Sequence, residues 1–194
     1  MSPFFRAVSV VLALVAFFGS ADAGALVDTL DRGPKKGEKI PFALEARDQD
    51  GKLRDFRSLV GKRGLILHFY RPMVLCPVCE IQASQWSARA AEFRALGYEI
   101  VAVSNDMVDV LSQVDQRRGI DFPLLSDPDS RMIKSFGLND DKYGRDSAWY
   151  GVALPMTFVI DPTRTVTHRF SSTDFRERPK VDDVLKLLGK RTGR

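Results

Sequence analysis

The most constraining feature of this chain is a buried-strand pattern followed at once by a cysteine pair. Residues 64–70, Gly-Leu-Ile-Leu-His-Phe-Tyr, form a nearly continuous apolar run, which is typical of a strand covered on both faces. Cys76 and Cys79 follow in a C-x-x-C spacing, and a second apolar run lies at 98–104. Strand, helix and strand over this length predict a right-handed crossover unit. The pair should therefore lie at the carboxyl end of a central strand of an α/β domain.

The remaining patterns predict a mixed sheet with helices on both faces. Asp50-Gly51 between two short apolar stretches indicates a β-hairpin near the start of the domain. Residues 155–160 and 165–172 indicate two more strands, paired antiparallel. Helices are predicted over 77–96, 107–118, 131–136 and 181–190.

The predicted position of the cysteines favours a reactive thiolate. Free N–H groups and the helix dipole stabilise negative charge at a helix N-terminus, which lowers a thiol pKa below the ~8.5 of free cysteine. Pro77 suits the first helical position, where its missing N–H costs nothing. Cys76 is predicted at the lip of the site. Cys79 is predicted to face inward in an apolar stripe with Ala83, Trp86, Ala90 and Phe93.

Three roles for the pair can be weighed from the sequence. A structural bridge over three residues closes a very small loop and removes little entropy from the unfolded chain. A zinc site normally needs four ligands, and the only histidines, His68 and His168, are far apart in sequence. His68 lies inside the apolar strand, where a hydrogen-bonded core residue is expected. Redox chemistry is therefore the favoured role, with no metal and no cofactor.

The N-terminus resembles a secretory signal. An apolar run at 7–18 follows Arg6 and precedes Ala21-Asp22-Ala23, a cleavage pattern. The run is shorter than the ~20 residues that span a bilayer, so cleavage is favoured and an uncleaved anchor is the alternative. The chain is thus predicted to be exported, to the periplasm or the medium. The predicted organisation is a signal peptide at 1–23, a linker at 24–36, a single domain at 37–190 and a tail at 191–194.

Charge does not point to a nucleic-acid partner. The net charge is +4, but lysine and arginine alternate with aspartate and glutamate, as in residues 45–57 and 174–183. Interspersed charge of this kind is typical of a solvated surface.

From about Gly37 to Leu188 the chain resembles the alkyl hydroperoxide reductase and thiol-specific antioxidant family, peroxiredoxin-like proteins on the thioredoxin fold. The resemblance lies in four phrases taken together: "GEKIPFALEARDQDGKLRDFRSLVGKRGLILHFYRP", "YEIVAVSND", "FPLLSDPDSRMIKSFGL" and "TFVIDP". It implies a thioredoxin-like fold with a central mixed sheet and a peroxiredoxin-type N-terminal hairpin.

The family's catalytic pattern is P-x-x-x-T-x-x-C, and here Pro72, Cys76 and Cys79 occupy its three fixed positions. The resemblance implies a shielding role for Pro72 and peroxide attack by Cys79, whereas Cys76 replaces the threonine that orients peroxide. The family's active-site arginine has no counterpart, because Pro155 takes its place before the late strand. The candidates to replace that arginine are Arg71, Arg131 and Arg145.

Pro155 instead matches the cis-proline that thioredoxin-like disulfide reductases place opposite their C-x-x-C pair, so a cis bond is expected there. Two mechanisms follow. In a peroxidase, Cys79 attacks peroxide and Cys76 resolves the sulfenic acid. In a disulfide reductase, Cys76 attacks a substrate disulfide and Cys79 releases the product.

A third class, a Cu(I)-binding chaperone relative on the same fold, is chemically sensible because thiolates favour Cu(I). Its resemblance is weaker, since His168 follows the late strand instead of preceding it. For either redox mechanism the expected partners are a peroxide or disulfide substrate and a thiol electron donor, thioredoxin-like or a membrane reductase. Oligomerisation stays open.

Overall fold

The computed structural model describes residues 27–41 and 44–190. The predicted signal peptide and the tail at 191–194 lie outside these residues. Seven described strands form one mixed sheet in the order β2-β1-β5-β4-β3-β6-β7. In chain order they are β1 (Ala46–Arg47), β2 (Leu53–Arg54), β3 (Gly64–Phe69), β4 (Tyr98–Ser104), β5 (Leu124–Ser126), β6 (Met156–Ile160) and β7 (Val166–Ser171).

The helices lie on both faces of the sheet, which confirms the predicted α/β class. One face packs α2, α3, α4 and α6 around Trp86, and the other packs α1 and α5 around Phe69. β3 is buried along its whole length between these two layers, as its apolar run predicts. The helices are α1 (Phe56–Leu59), α2 (Pro77–Ser87), α3 (Ala90–Ala95), α4 (Val108–Arg118), α5 (Arg131–Ser135) and α6 (Val181–Gly189).

The predicted strand pairings are present. β3 and β4 are parallel, with Phe69 opposite Val103, and their carboxyl ends therefore meet at one edge of the sheet. β1 and β2 form the antiparallel hairpin, and β6 and β7 form the late antiparallel pair. The sequence pattern did not predict β5, a strand of only three residues that is held beside β4 by parallel pairing.

The single helix predicted over 77–96 is wrong, because the chain breaks between α2 and α3. Arg89 leaves the helical region with φ −115° and ψ 7°. Its guanidinium donates to Glu92 and to Asp182 at the start of α6. The break thus accompanies a tertiary contact between distant segments, which local periodicity does not contain.

Residues 27–36 fall in the segment predicted as a linker, and the structure packs them along β7. The Arg169 guanidinium, which is buried, donates to four of their carbonyl oxygens, those of Leu30, Arg32, Gly33 and Pro34. Four charge-assisted bonds from one side chain tie this segment to the domain. None of the helices in residues 27–41 and 44–190 is both long enough and apolar enough to span a bilayer.

Candidate active site

The cysteine pair lies where the crossover unit turns from β3 into α2. Cys76 is the residue before the helix and Pro77 is its first residue, as predicted. A disulfide joins Cys76 to Cys79, with their Cα atoms 5.3 Å apart. The Cys79 N–H donates to the Cys76 carbonyl at 2.9 Å, closing the first turn. The two sulfur atoms therefore lie at the N-terminus of an 11-residue helix, where the dipole favours a thiolate.

Burial differs from the prediction at one of the two cysteines. Cys79 has no exposed surface, and its predicted stripe along α2 and α3 is buried throughout. Cys76 is only 6% exposed, so its predicted place at the lip is wrong. Its bond to a fully buried partner holds its sulfur inside the apolar layer. The surface above the pair is formed by exposed apolar neighbours, Val74, Leu75, Val78 and Ile81.

A buried carboxylate at the end of β4 holds the loop that leads to the pair. Asp106 Oδ2 accepts the Met73 N–H and the Ser104 hydroxyl, each at 2.7 Å. Asp106, Met73 and Ser104 are all at most 4% exposed. Burial raises the pKa of Asp106, against the hydrogen bonds from Met73 and Ser104. Asp106 thereby fixes the 3-10 turn at Met73–Leu75, directly before Cys76.

A second carboxylate, Glu80, follows Cys79 in the first turn of α2. Arg117 and Arg118 of α4 donate to its two oxygens at 2.9 and 3.0 Å. Burial alone would raise the pKa of Glu80, but these hydrogen bonds and charges leave it below its usual value. The two arginines thus offset a negative charge that would otherwise oppose a thiolate at Cys79.

His68 is the hydrogen-bonded core residue that the sequence predicts. Its side chain is fully buried in β3, and its Nδ1 lies 2.8 Å from Thr157 Oγ1 on β6. Burial lowers the pKa of His68 to about 3, so the ring is neutral at physiological pH. Residues 27–41 and 44–190 contain no group of three or more His, Cys, Asp or Glu side chains placed to hold a metal ion.

Comparison with known proteins identifies the family. Residues 37–169 match the model of the AhpC/TSA family. The chain belongs to that family. Peroxiredoxin Bcp of Escherichia coli K12 is 28% identical over 155 residues, covering 80% of this chain and 96% of that protein. Probable peroxiredoxin prdx-3 of Caenorhabditis elegans is 31% identical over 171 residues, covering 84% of this chain and 71% of that protein.

A solved structure shows the same architecture. The crystal structure of peroxidoxin BcpB from Mycobacterium tuberculosis superposes with a TM-score of 0.68 at 28% identity, covering 82% of this chain and 98% of that one. The thioredoxin-like fold of the AhpC/TSA family therefore holds for this chain. Its relatives make it an enzyme, a thiol-dependent oxidoreductase.

The two prolines singled out from the AhpC/TSA pattern both lie near the end of β3. Pro72 is buried directly before the 3-10 turn. Pro155 is buried directly before β6, and because Met156 pairs with Phe69, it lies beside the last residues of β3. The described residues contain no cis peptide bond, so the cis-proline expected at Pro155 is wrong. A buried trans proline can enter a strand whose first ladder bond it cannot make.

The three candidate arginines have different surroundings. Arg131 is exposed and pairs with Asp129, and Arg145 is exposed. Arg71 is 4% exposed, donates to the Tyr143 hydroxyl at 2.7 Å and lies 3.8 Å from Asp140. Its guanidinium also faces three aromatic rings, those of Tyr143, Trp149 and Phe175, at 4.6 to 5.6 Å. Arg71 therefore organises the loops beside the site, and much of its hydrogen-bonding and charge capacity is used there.

Sequence reasoning missed Asp106 as a site residue. A signal for it was present, because Ser104-Asn105-Asp106 directly follows a buried parallel strand, and such strand ends carry functional side chains. The ring cage around Arg71 had no such signal. Its members come from three segments more than 20 residues apart in the chain.

Proposed function

We propose that this AhpC/TSA protein reduces hydroperoxides, with Cys79 as the attacking residue and Cys76 as the resolving one. The observation that carries the proposal is the Cys76–Cys79 disulfide at the start of α2, with Cys79 at the family's cysteine position. A disulfide between these residues is the product that an internal peroxidase cycle leaves. The trans geometry at Pro155 removes the feature that suggested a disulfide reductase.

The cycle has three balanced steps. The Cys79 thiolate attacks the distal peroxide oxygen; the S–O bond forms, the O–O bond breaks, and the departing alkoxide or hydroxide takes a proton. The Cys76 thiol then displaces water from the Cys79 sulfenic acid and forms the disulfide. Two thiol equivalents from a donor reopen that disulfide by exchange, and the donor leaves as a disulfide.

The donor must reach the disulfide across an apolar surface. Cys76 is the more exposed sulfur of the pair, and Val74, Val78 and Ile81 around it are 61%, 42% and 50% exposed. A thiol protein with an apolar contact surface suits this approach better than a small charged thiol. The N-terminal pattern at 1–23 supports export, so the donor is expected in the periplasm or the medium.

Steady-state peroxide consumption tests the proposal. The mature protein at 37–190 or longer is supplied with dithiothreitol, and loss of hydrogen peroxide is followed in wild type, Cys79→Ser and Cys76→Ser. Wild type should turn over, Cys79→Ser should match the uncatalysed rate, and Cys76→Ser should turn over only as fast as dithiothreitol reduces a sulfenic acid. Equal consumption with and without the wild-type protein would reject the peroxidase function.

A further inference from the structure

The layer beneath α2 contains several buried polar atoms that have no hydrogen-bond partner among the described residues. They are the Tyr70 hydroxyl, His68 Nε2, Trp86 Nε1, both amide atoms of Gln82, and Nε and Nη2 of Arg178. The first four of these side chains are at most 4% exposed. Leaving such groups unpaired costs ~1 to 3 kcal/mol each, so a fold retains them where a ligand or reacting group will pair with them.

These side chains lie together, directly behind the cysteines. The His68 ring stacks on Tyr70 with centroids 5.4 Å apart and lies 4.3 Å from Trp86. Gln82 and Trp86 are one turn apart on the buried side of α2, the helix that contains Cys79. Tyr70 shares one buried cluster with both cysteines. Arg178, which precedes α6, lies close enough to Tyr70 and His68 to interact with each electrostatically.

Arg178 is the one cation of this group, and its charge is largely available. Its Nη1 donates to the Glu177 carbonyl at 2.9 Å, whereas Nε and Nη2 point into the buried layer. Burial lowers the pKa of Arg178 to about 10, so it is still charged at neutral pH. The charged and titratable groups around it are Tyr70, Arg71, Asp174 and the neutral His68. Asp174 is held by Arg176, which donates to both of its oxygens.

We propose that Arg178 and Tyr70 form the anion-stabilising subsite of the cysteine pair, donating N–H and O–H groups to the negative charge that develops there. The subsite supplies the positive charge that the family pattern places at the position of Pro155. The inference rests on the proposed peroxidase function for its substrate, a hydroperoxide. Its effect on the thiolate does not depend on that substrate.

The subsite acts on both charged species of the first step. Before attack it favours the Cys79 thiolate over the thiol, whose proton goes to solvent. During attack the S–O bond forms while the O–O bond breaks, and negative charge moves to the departing oxygen, which Arg178 and Tyr70 stabilise until it takes a proton from solvent. Removal of one preorganised donor of this kind costs about 100-fold to 1,000-fold in rate.

The test uses the reduced Cys76→Ser protein, so that a single thiol titrates, and compares Arg178→Gln, Arg178→Lys and Tyr70→Phe. Lys180→Gln is the matched control, because Lys180 is an exposed cation two residues along the same segment. Thiolate absorbance near 240 nm against pH gives the pKa of Cys79. Stopped-flow mixing with hydrogen peroxide gives the second-order rate constant, and urea unfolding reports the integrity of each variant.

Arg178→Gln should raise the pKa of Cys79 and lower the peroxide rate constant about 100-fold, even at a pH where the thiolate is fully formed. Arg178→Lys should recover part of both, and Tyr70→Phe, which keeps the ring packing, should lose about 10-fold. A thiol pKa and a rate constant in Arg178→Gln equal to those of Lys180→Gln would overturn the proposal. If Arg178→Gln does not fold, an unchanged rate constant in Tyr70→Phe together with an unchanged thiol pKa in Arg178→Lys overturns it.

Failure of the proposed function gives a different pattern. If the parent protein reacts with peroxide no faster than a free thiolate, the peroxidase function fails. The pKa comparison between Arg178→Gln and Lys180→Gln still decides whether the subsite stabilises the thiolate.

Discussion

Replacing Asp106 by alanine should destabilise the protein by about 2 to 4 kcal/mol. The change leaves two buried donors, the Met73 N–H and the Ser104 hydroxyl, without their acceptor. Each orphaned buried donor costs ~1 to 3 kcal/mol. Part of that sum is offset, because burial raises the pKa of Asp106 and the folded protein therefore bears a cost for its charge.

The same substitution should slow peroxide reduction. The turn at Met73–Leu75 is anchored through the Met73 N–H, and its displacement moves Cys76 and the start of α2. A small misplacement of a reacting group can cost 100-fold in rate, so a loss of about 10- to 100-fold is expected for Asp106→Ala. Asp106→Asn keeps one acceptor oxygen and should lose about 1 kcal/mol and less than 10-fold in rate.

Urea unfolding and stopped-flow peroxide oxidation of the same preparations provide the two measurements. Asp109→Ala is the control, since Asp109 is an exposed carboxylate in the first turn of α4 and removing it should cost less than ~1 kcal/mol. A urea midpoint in Asp106→Ala equal to that of Asp109→Ala would refute the anchoring argument. Its pH dependence gives a further check: because the folded pKa of Asp106 is raised, the stability of wild type relative to Asp106→Asn should fall as pH rises above 3.8.

Three more outcomes follow from the buried groups around the pair. His68 has a folded pKa below its ordinary 6.5, so its contribution to stability is present above pH 6.5 and is lost as pH falls towards 3; its ring proton shifts should not move between pH 5 and 8, and a midpoint near 6.5 in an NMR titration would contradict this. Trp86→Ala should cost about 3 to 5 kcal/mol, because the indole is fully buried against His68 and Phe93; a loss below 1 kcal/mol in urea unfolding would show that the layer is loosely packed. Glu80→Gln should lower the thiol pKa of Cys79, since Arg117 and Arg118 then face the site without their counter-charge; an unchanged thiolate titration would contradict that.

Much of the fold follows from local pattern. The continuous apolar run of β3 and the period of Cys79, Ala83 and Trp86 predicted a central strand and an inward helix face, and both are present. Patterns of this strength survive because they match the burial that the fold imposes. β5 is too short to show a period, and it exists only because β4 offers it an edge.

The parts of the site that sequence did not predict depend on contacts between distant segments. Cys76 is buried because its disulfide and the loop anchored by Asp106 hold it inward, whereas its neighbours in sequence are exposed. Pro155 is a residue whose isomer depends on the strands around it, and a family pattern alone suggested the wrong one. Arg178 lies about a hundred residues after the cysteines in the chain, and only the packing of the segment before α6 brings its charge near Tyr70.

The central claim is that the Cys79 thiolate attacks peroxide. The most direct measurement mixes reduced Cys76→Ser protein with hydrogen peroxide in the presence of dimedone, which traps sulfenic acids, and determines the rate constant by stopped flow and the labelled residue by mass spectrometry. The account predicts reaction far faster than that of a free thiolate and a single label on Cys79. Reaction at the rate of a free thiolate, or fast labelling of Cys76 in the Cys79→Ser protein, would contradict it.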